Sequence, residues 1–159
     1  MHSFDAHYDE EGSARAERAF FVRSARELRP WSTFGLPALL SVVVTVATAM
    51  AAPAWFLLSS GLLLVGSVLI PVFSYFTRSR AAAKLARENP VRRVNLSTHA
   101  LTIIAGEQSV VVEWSRIFRI WHAHGYTLLV VDKYTAVSIP DSSMPSGARE
   151  FIESAVKDT

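Results

Sequence analysis

His122 and His124 stand two residues apart in IWHAHGY. On a strand that spacing turns both rings to one face, where they could offer two nitrogens to a metal ion. A third ligand is missing, because His99 falls on a different turn, and partly exposed strand histidines are the plainer reading. The carboxylates of Glu113, Asp132 and Asp141 lie separately at turns or strand ends, with no motif that brings two together. Ser142 and Ser143 lack the setting of a nucleophile elbow, and there is no glycine-rich phosphate loop. The chain has no cysteine, which excludes thiolate chemistry and a disulfide framework. Trp114 and Trp121 read as barrel core or interfacial anchors rather than as a stacking platform for nucleic acid. The chemistry points to a non-enzymatic protein, with no catalytic residues, cofactor or metal.

The elements that would carry these residues are set by one stretch. From Pro30 to Thr77 there is no Asp, Glu, Lys, Arg or His. A bilayer core of roughly 30 Å takes about 20 apolar residues per helix, and this stretch is about twice that. Pro53 sits near its middle and can open a second helix directly after the first, since the first turn of a helix tolerates a missing amide hydrogen. The stretch therefore predicts a transmembrane hairpin over 31–76, with spans 31–52 and 53–76. Arg15, Arg18, Arg23, Arg26 and Arg29 precede it, Arg78, Arg80, Lys84, Arg87, Arg92 and Arg93 follow it, and the connector carries no charge. Retention of basic flanks on the cytoplasmic side predicts a multi-pass inner-membrane protein with both termini in the cytoplasm. The run Ala47–Ala51 resembles a signal-peptidase site, but the preceding charged region is long and partly acidic and a second span follows, so cleavage is not expected.

Within the hairpin, Ala38, Ser41, Thr45, Thr48 and Ala52 recur at a 3–4–3–4 spacing, and Ser60, Ser67 and Ser74 are a heptad apart. Small and hydroxyl residues permit close helix approach in lipid, so these two rows are the expected seam.

Outside the hairpin the chain is ordinary. Half of its 159 residues are hydrophobic and 19% are charged, which leaves room for one small soluble domain beside the apolar stretch. Phe4, Ala6 and Tyr8 alternate as in a short strand. Asp9–Gly12 reads as a turn, Ser13 as an N-cap, and Ala14–Arg29 as a helix stopped by Pro30. At 100° per residue Arg15, Arg18, Arg26 and Arg29 form one stripe, suited to anionic headgroups together with Arg78 and Arg80; a solvated helix whose arginines only enforce topology is the equal alternative. The segment 77–90 continues the second helix until Asn89-Pro90. Extended segments follow at Val91–Leu96, Leu101–Ala105, Ser109–Glu113, Ile117–Ala123, Tyr126–Val131 and Tyr134–Ile139, the short regular spacing of an antiparallel sheet or barrel. WSRIFRIW also fits helical spacing at its start. Ser146 caps a last helix, Gly147–Lys157, with Phe151, Ile152 and Ala155 on one face. The expected organisation is 1–30 (strand and juxtamembrane helix), 31–76 (hairpin), 77–90 (helical extension) and 91–159 (β domain).

The residues EWSRIFRI, a strand led by Tyr126, SIP at Ser138–Pro140 and REFIESA resemble the C-terminal signature of the YcxB-like family of bacterial membrane proteins. The chain departs from that pattern at Asp141–Met144, where the family more often has an aromatic residue after the proline. The resemblance implies an α+β membrane protein whose β domain is like the pleckstrin-homology folds, a bent antiparallel barrel closed by a C-terminal helix. Trp114, Ile117, Ile120, Tyr126, Ile139, Pro140 and Phe151 are then its core and signature residues. Such barrels usually have seven strands and six follow Val91, so the Phe4–Tyr8 strand is expected to supply the missing edge. The functional expectation is a membrane-tethered binding module, meeting the bilayer's anionic headgroups and a protein or peptide partner, with no nucleic acid and a possible homo-oligomer. The alternative is an immunity protein that intercepts a toxin in the membrane. A small transporter component is disfavoured by the lack of intramembrane charge.

Overall fold

The computed structural model describes residues 2–28, 35–51 and 53–157. The chain forms two compact units, one made of Met1–Phe21 with Arg78–Thr159, the other of Val22–Thr77.

The first unit holds two antiparallel sheets. Strands β1 (His2–His7), β2 (Val91–Leu96), β3 (Ala100–Ala105) and β4 (Gln108–Glu113) form one in that order, and β5 (Arg119–Ala123), β6 (Tyr126–Val130) and β7 (Ala136–Pro140) form the other. The N-terminal strand is therefore the seventh strand and an edge. It pairs with β2 along its length, Phe4 opposite Val94 and Ala6 opposite Arg92. Its alternation is real, since Ala6 and Tyr8 are buried while Ser3 and Asp5 face out, bonded to Asn95 at 2.7 Å and Arg93 at 3.2 Å. His124 and Gly125 both take positive φ, 51° and 76°, which closes the β5–β6 connection as a two-residue hairpin turn. All five residues of β6 are buried, so this strand is covered on both faces. The ambiguous WSR segment is a 3-10 turn, Trp114–Arg116, before β5 begins.

Helix α1 (Glu10–Glu27) starts four residues before the expected Ala14. Asp9 is its cap. The Gly12 amide donates to the Asp9 carboxylate and the Ser13 amide to the Asp9 carbonyl, at 3.1 Å for the latter. Glu10 and Glu11 then sit in the first turn, where negative charge opposes the helix dipole. Asp9–Gly12 is thus the beginning of the helix rather than a turn before it. The helix lies against β6 and β5. A Cβ on Gly12 would fall 2.8 Å from the Tyr126 phenol oxygen, and Phe20 packs on Trp121 with ring centroids 5.9 Å apart. Helix α4 (Ala148–Lys157) buries Ile152 and sets Phe151 edge-on to Trp114 at 6.1 Å.

The second unit contains α2 (Leu36–Ala49) and most of α3 (Ala54–Glu88). Among the described residues one helix, α3, is long and apolar enough to cross a membrane. Helix α2 covers 14 residues of the expected first span, about 21 Å at 1.5 Å per residue, short of a bilayer core of ~30 Å. Trp31 and Ala52 lie outside the described residues. At the junction Ala51 takes φ 52°, and the Pro53 carbonyl accepts the Phe56 and Leu57 amides, so Pro53 does open the second helix.

The two rows of small residues fare differently. On α3 the less exposed residues include Leu57, Ser60, Leu64, Ser67, Pro71 and Ser74, so the serine heptad lies on the covered stripe. On α2 the covered stripe is Pro37, Leu40, Val44 and Ala47, while Ala38, Ser41, Thr45 and Thr48 are exposed. The expected seam is one residue, or about 100°, out of phase. The reason is local: Ser41, Thr45 and Thr48 donate to the carbonyls of Pro37, Ser41 and Val44 in their own helix, at 2.7–2.8 Å. A hydroxyl satisfied by the preceding turn needs no partner helix.

Two outcomes follow from this architecture. Removing residues 1–8 deletes β1 and the buried Tyr8 ring; the loss should be at least about 2 kcal/mol after the entropy of ordering the terminus, with faster amide exchange along β2. Unchanged exchange there would exclude the β1–β2 pairing. In the second unit, Ala47→Leu should lower the melting temperature of the detergent-solubilised chain by the equivalent of about 1–3 kcal/mol of overpacking. Thr45→Leu should be near neutral, and the opposite ranking would restore the hydroxyl row as the seam.

Candidate functional site

Of the residues expected in the core of the first unit (the β unit), most are covered. Trp114, Ile117, Tyr126, Ile139 and Pro140 are buried, and Ile120 and Phe151 are half-buried. The Trp114 indole donates to the Ser97 carbonyl at 2.8 Å, which accounts for its polar edge. The paired histidines separate: His122 lies on β5 with its Nδ1 3.1 Å from the Thr127 hydroxyl, and His124 is in the hairpin turn. Thr127 in turn donates to Asp141 at 2.6 Å, and Asp141 meets Arg149 at 3.3 Å. Among the described residues no three His, Asp or Glu side chains gather as metal ligands.

The basic residues divide into two groups. Arg15, Arg18, Arg26 and Arg80 are exposed, Arg15 with Glu11 at 3.7 Å. Arg29 lies outside the described residues. Arg78 is not of this kind. Its guanidinium bonds Glu17 at 2.6 Å and lies 5.7 Å from the Phe20 ring, inside the β unit.

Concavities of the β unit include two of note. An open groove of about 680 Å³ runs between the outer face of β4 and helix α4, with His99, Val111, Glu113, Trp114, Phe151 and Ser154 along it. A smaller cleft of about 250 Å³ lies between α1, the end of α3 and the strand ends, and Tyr8 and Arg92 line it. Tyr8 is the organising side chain there. Its hydroxyl donates to the Ser138 carbonyl at 2.8 Å, its ring is 6.4 Å from that of Tyr126, and the Arg92 guanidinium rests 4.0 Å from its centroid. That distance is a close cation–π contact. Burial pushes the Tyr8 hydroxyl up to about 12, and burial likewise raises Tyr126 and lowers Arg92.

Sequence reasoning placed Arg92 only among the flanking basic residues. A signal for more was present: in VRRVNL, Arg92 is in phase with Val94 and Leu96, which are buried, and Arg93 with Asn95. Period-two alternation puts Arg92 on the inner face.

Comparison with protein-family models, with curated proteins and with solved structures finds no match to this chain.

The Tyr8 environment makes stability fall in alkali. The folded chain holds the Tyr8 proton up to about 12 against 10.0 for the free side chain, so the unfolded chain sheds it first. The contribution is complete below pH 10 and is lost as pH rises through 12, roughly 2–3 kcal/mol by linkage, with Tyr126 adding in the same direction. Urea melts of the full chain between pH 8 and 12 should show this decline. Tyr8→Phe should flatten it while costing about 1–2 kcal/mol at neutral pH through the unpaired Ser138 carbonyl.

Proposed function

We propose that this chain is a membrane-anchored, non-enzymatic interaction module of the bacterial inner membrane. In this reading residues 31–76 form the two-span hairpin, both termini are cytoplasmic, and the two-sheet unit is a pleckstrin-homology-like domain similar to that of the YcxB-like family. The observation that carries it is the single helix α3. Its first two-thirds are apolar and bare, with Trp55, Leu62 and Phe73 each at least 70% exposed, while Ser79 and Ala86 near its other end are buried. Exposing side chains of that size to water forfeits roughly 1.5–3 kcal/mol each, a cost that a bilayer removes. At 35 residues the helix spans about 52 Å, enough to cross ~30 Å of hydrocarbon and continue into the cytoplasm. The architecture supports a binding role: a 4 + 3 arrangement of strands, an α4 helix over one end, and two concavities. The exposed arginines Arg15, Arg18, Arg26 and Arg80 would meet anionic headgroups at roughly 1 kcal/mol each when close to the surface. The partner is a protein or peptide.

The domain tested for partner capture must include its N-terminal part. A fragment beginning at Val91 lacks β1, α1 up to Phe21 and the end of α3 from Arg78, all of which belong to the β unit.

Topology is checked with fusions after Thr159. A green fluorescent reporter there should shine and alkaline phosphatase should be silent; an active phosphatase would overturn the reading. Partner capture by the full chain should survive replacement of 36–76 by an unrelated two-span hairpin. Its loss would transfer the function to the spans, as an immunity protein requires.

A further inference from the structure

Among the described arginines only Arg78 and Arg92 are not exposed. Arg78 has its counter-charge in Glu17 at 2.6 Å. Arg92 has none: no carboxylate among the described residues forms an ion pair with it, and its Nε donates only to the Asn89 carbonyl, at 3.2 Å. Its partner in the structure is the Tyr8 ring, which holds the guanidinium plane and takes none of its N–H donors. A guanidinium has five such donors in a planar fork. With Nε used, the two terminal nitrogens remain, and Arg92 lines the 250 Å³ cleft.

The rest of the cleft wall is different in character. Ile103, Val110 and Val137 are apolar, Gln108 adds one amide, and the Glu17 carboxylate is already neutralised by Arg78. The net uncompensated charge is that of Arg92. One fork of donors and one positive charge match a monoanion of planar, bidentate geometry. A phosphate dianion would need a second cation. It would also leave the three aliphatic side chains wet. The volume, that of about eight waters at ~30 Å³ each, accommodates a short body attached to the anion.

We propose that this cleft binds a carboxylate with a compact apolar body, the carboxylate on the terminal nitrogens of Arg92 and the body against Ile103, Val110 and Val137. The inference rests on reading the β unit as a binding module and gives this cleft a small ligand beside the protein or peptide partner proposed above. Burial of the apolar body then supplies affinity, and Arg92 supplies selection for the anion.

The test uses the full chain in nanodiscs of uncharged phosphatidylcholine, with the Ile103 and Val110 methyl resonances as readout. Benzoate is the probe, with benzyl alcohol and inorganic phosphate as controls. Benzoate should shift both methyls saturably, and the two controls should bind at least tenfold more weakly. Arg92→Gln should raise the benzoate Kd roughly tenfold or more, the usual weight of a charged hydrogen bond. Val110→Trp, at an exposed position on the cleft wall, should block the body with Arg92 intact and abolish the Ile103 shift. Equal binding of benzoate and benzyl alcohol, phosphate binding as tight as benzoate, or no saturable shift would each overturn the proposal. The topology fusions are read independently, so failure of the cleft leaves the anchored-module reading to stand or fall on its own test.

Discussion

The β unit consists of two separate sheets, and the Tyr8 side chain makes one of the ties between them. Tyr8 follows the last residue of β1, in the first sheet, and its hydroxyl donates to the Ser138 carbonyl of β7, in the second. The same ring supports Arg92 from β2 and approaches Tyr126 from β6. A buried phenol is favourable only while its hydroxyl keeps a partner, because an unpaired buried donor costs about as much as the burial gains. The tie therefore fixes where β1 must end relative to β7. The cleft, the Arg92 orientation and the start of α1 at Asp9 all follow from that position.

The two units of the chain obey different accounting. In the β unit, charged side chains are paired across elements, Arg93 with Asp5, Arg87 with Glu10 and Arg149 with Asp141. In the second unit, the hydroxyls of Ser41, Thr45, Thr48, Ser59, Ser67 and Thr77 turn inward on their own helices. Pro71 removes one amide donor from the middle of α3, and each of these hydroxyls is satisfied by a carbonyl of the preceding turn of its own helix.

Much of the β unit was legible because strands announce themselves through alternation and turn residues. Val91–Leu96 was placed residue for residue, and the β3, β4 and β6 boundaries were within one residue. The edge strand at the N-terminus could be inferred from Phe4, Ala6 and Tyr8 together with the missing seventh strand. The start of α1 was missed because Asp9-Glu10-Glu11-Gly12 has turn composition, and only the docking of Gly12 beneath Tyr126 shows why a glycine belongs in a first turn. On α2 the pattern of small residues carried no phase information, since intrahelical bonding removes their need for a neighbour. Arg92 was hidden by its company: beside Arg93 it reads as one more flanking charge, and its inward position depends on a register that only the paired strands define.

The pairing of β1 with β2 joins residues roughly ninety positions apart in the chain, as the bond from Ser3 to Asn95 shows. β1 can pair only after the apolar segment that separates it from β2 has been synthesised. Closing so long a loop is slow, although its entropy grows only logarithmically with length. Until then Ala6 and Tyr8 have no cover and the β2 edge stands open. Completion of the first sheet therefore waits on two segments from either end of the apolar stretch coming together. Only once they have met can Tyr8 reach the Ser138 carbonyl, so burial of this one ring marks completion of the unit.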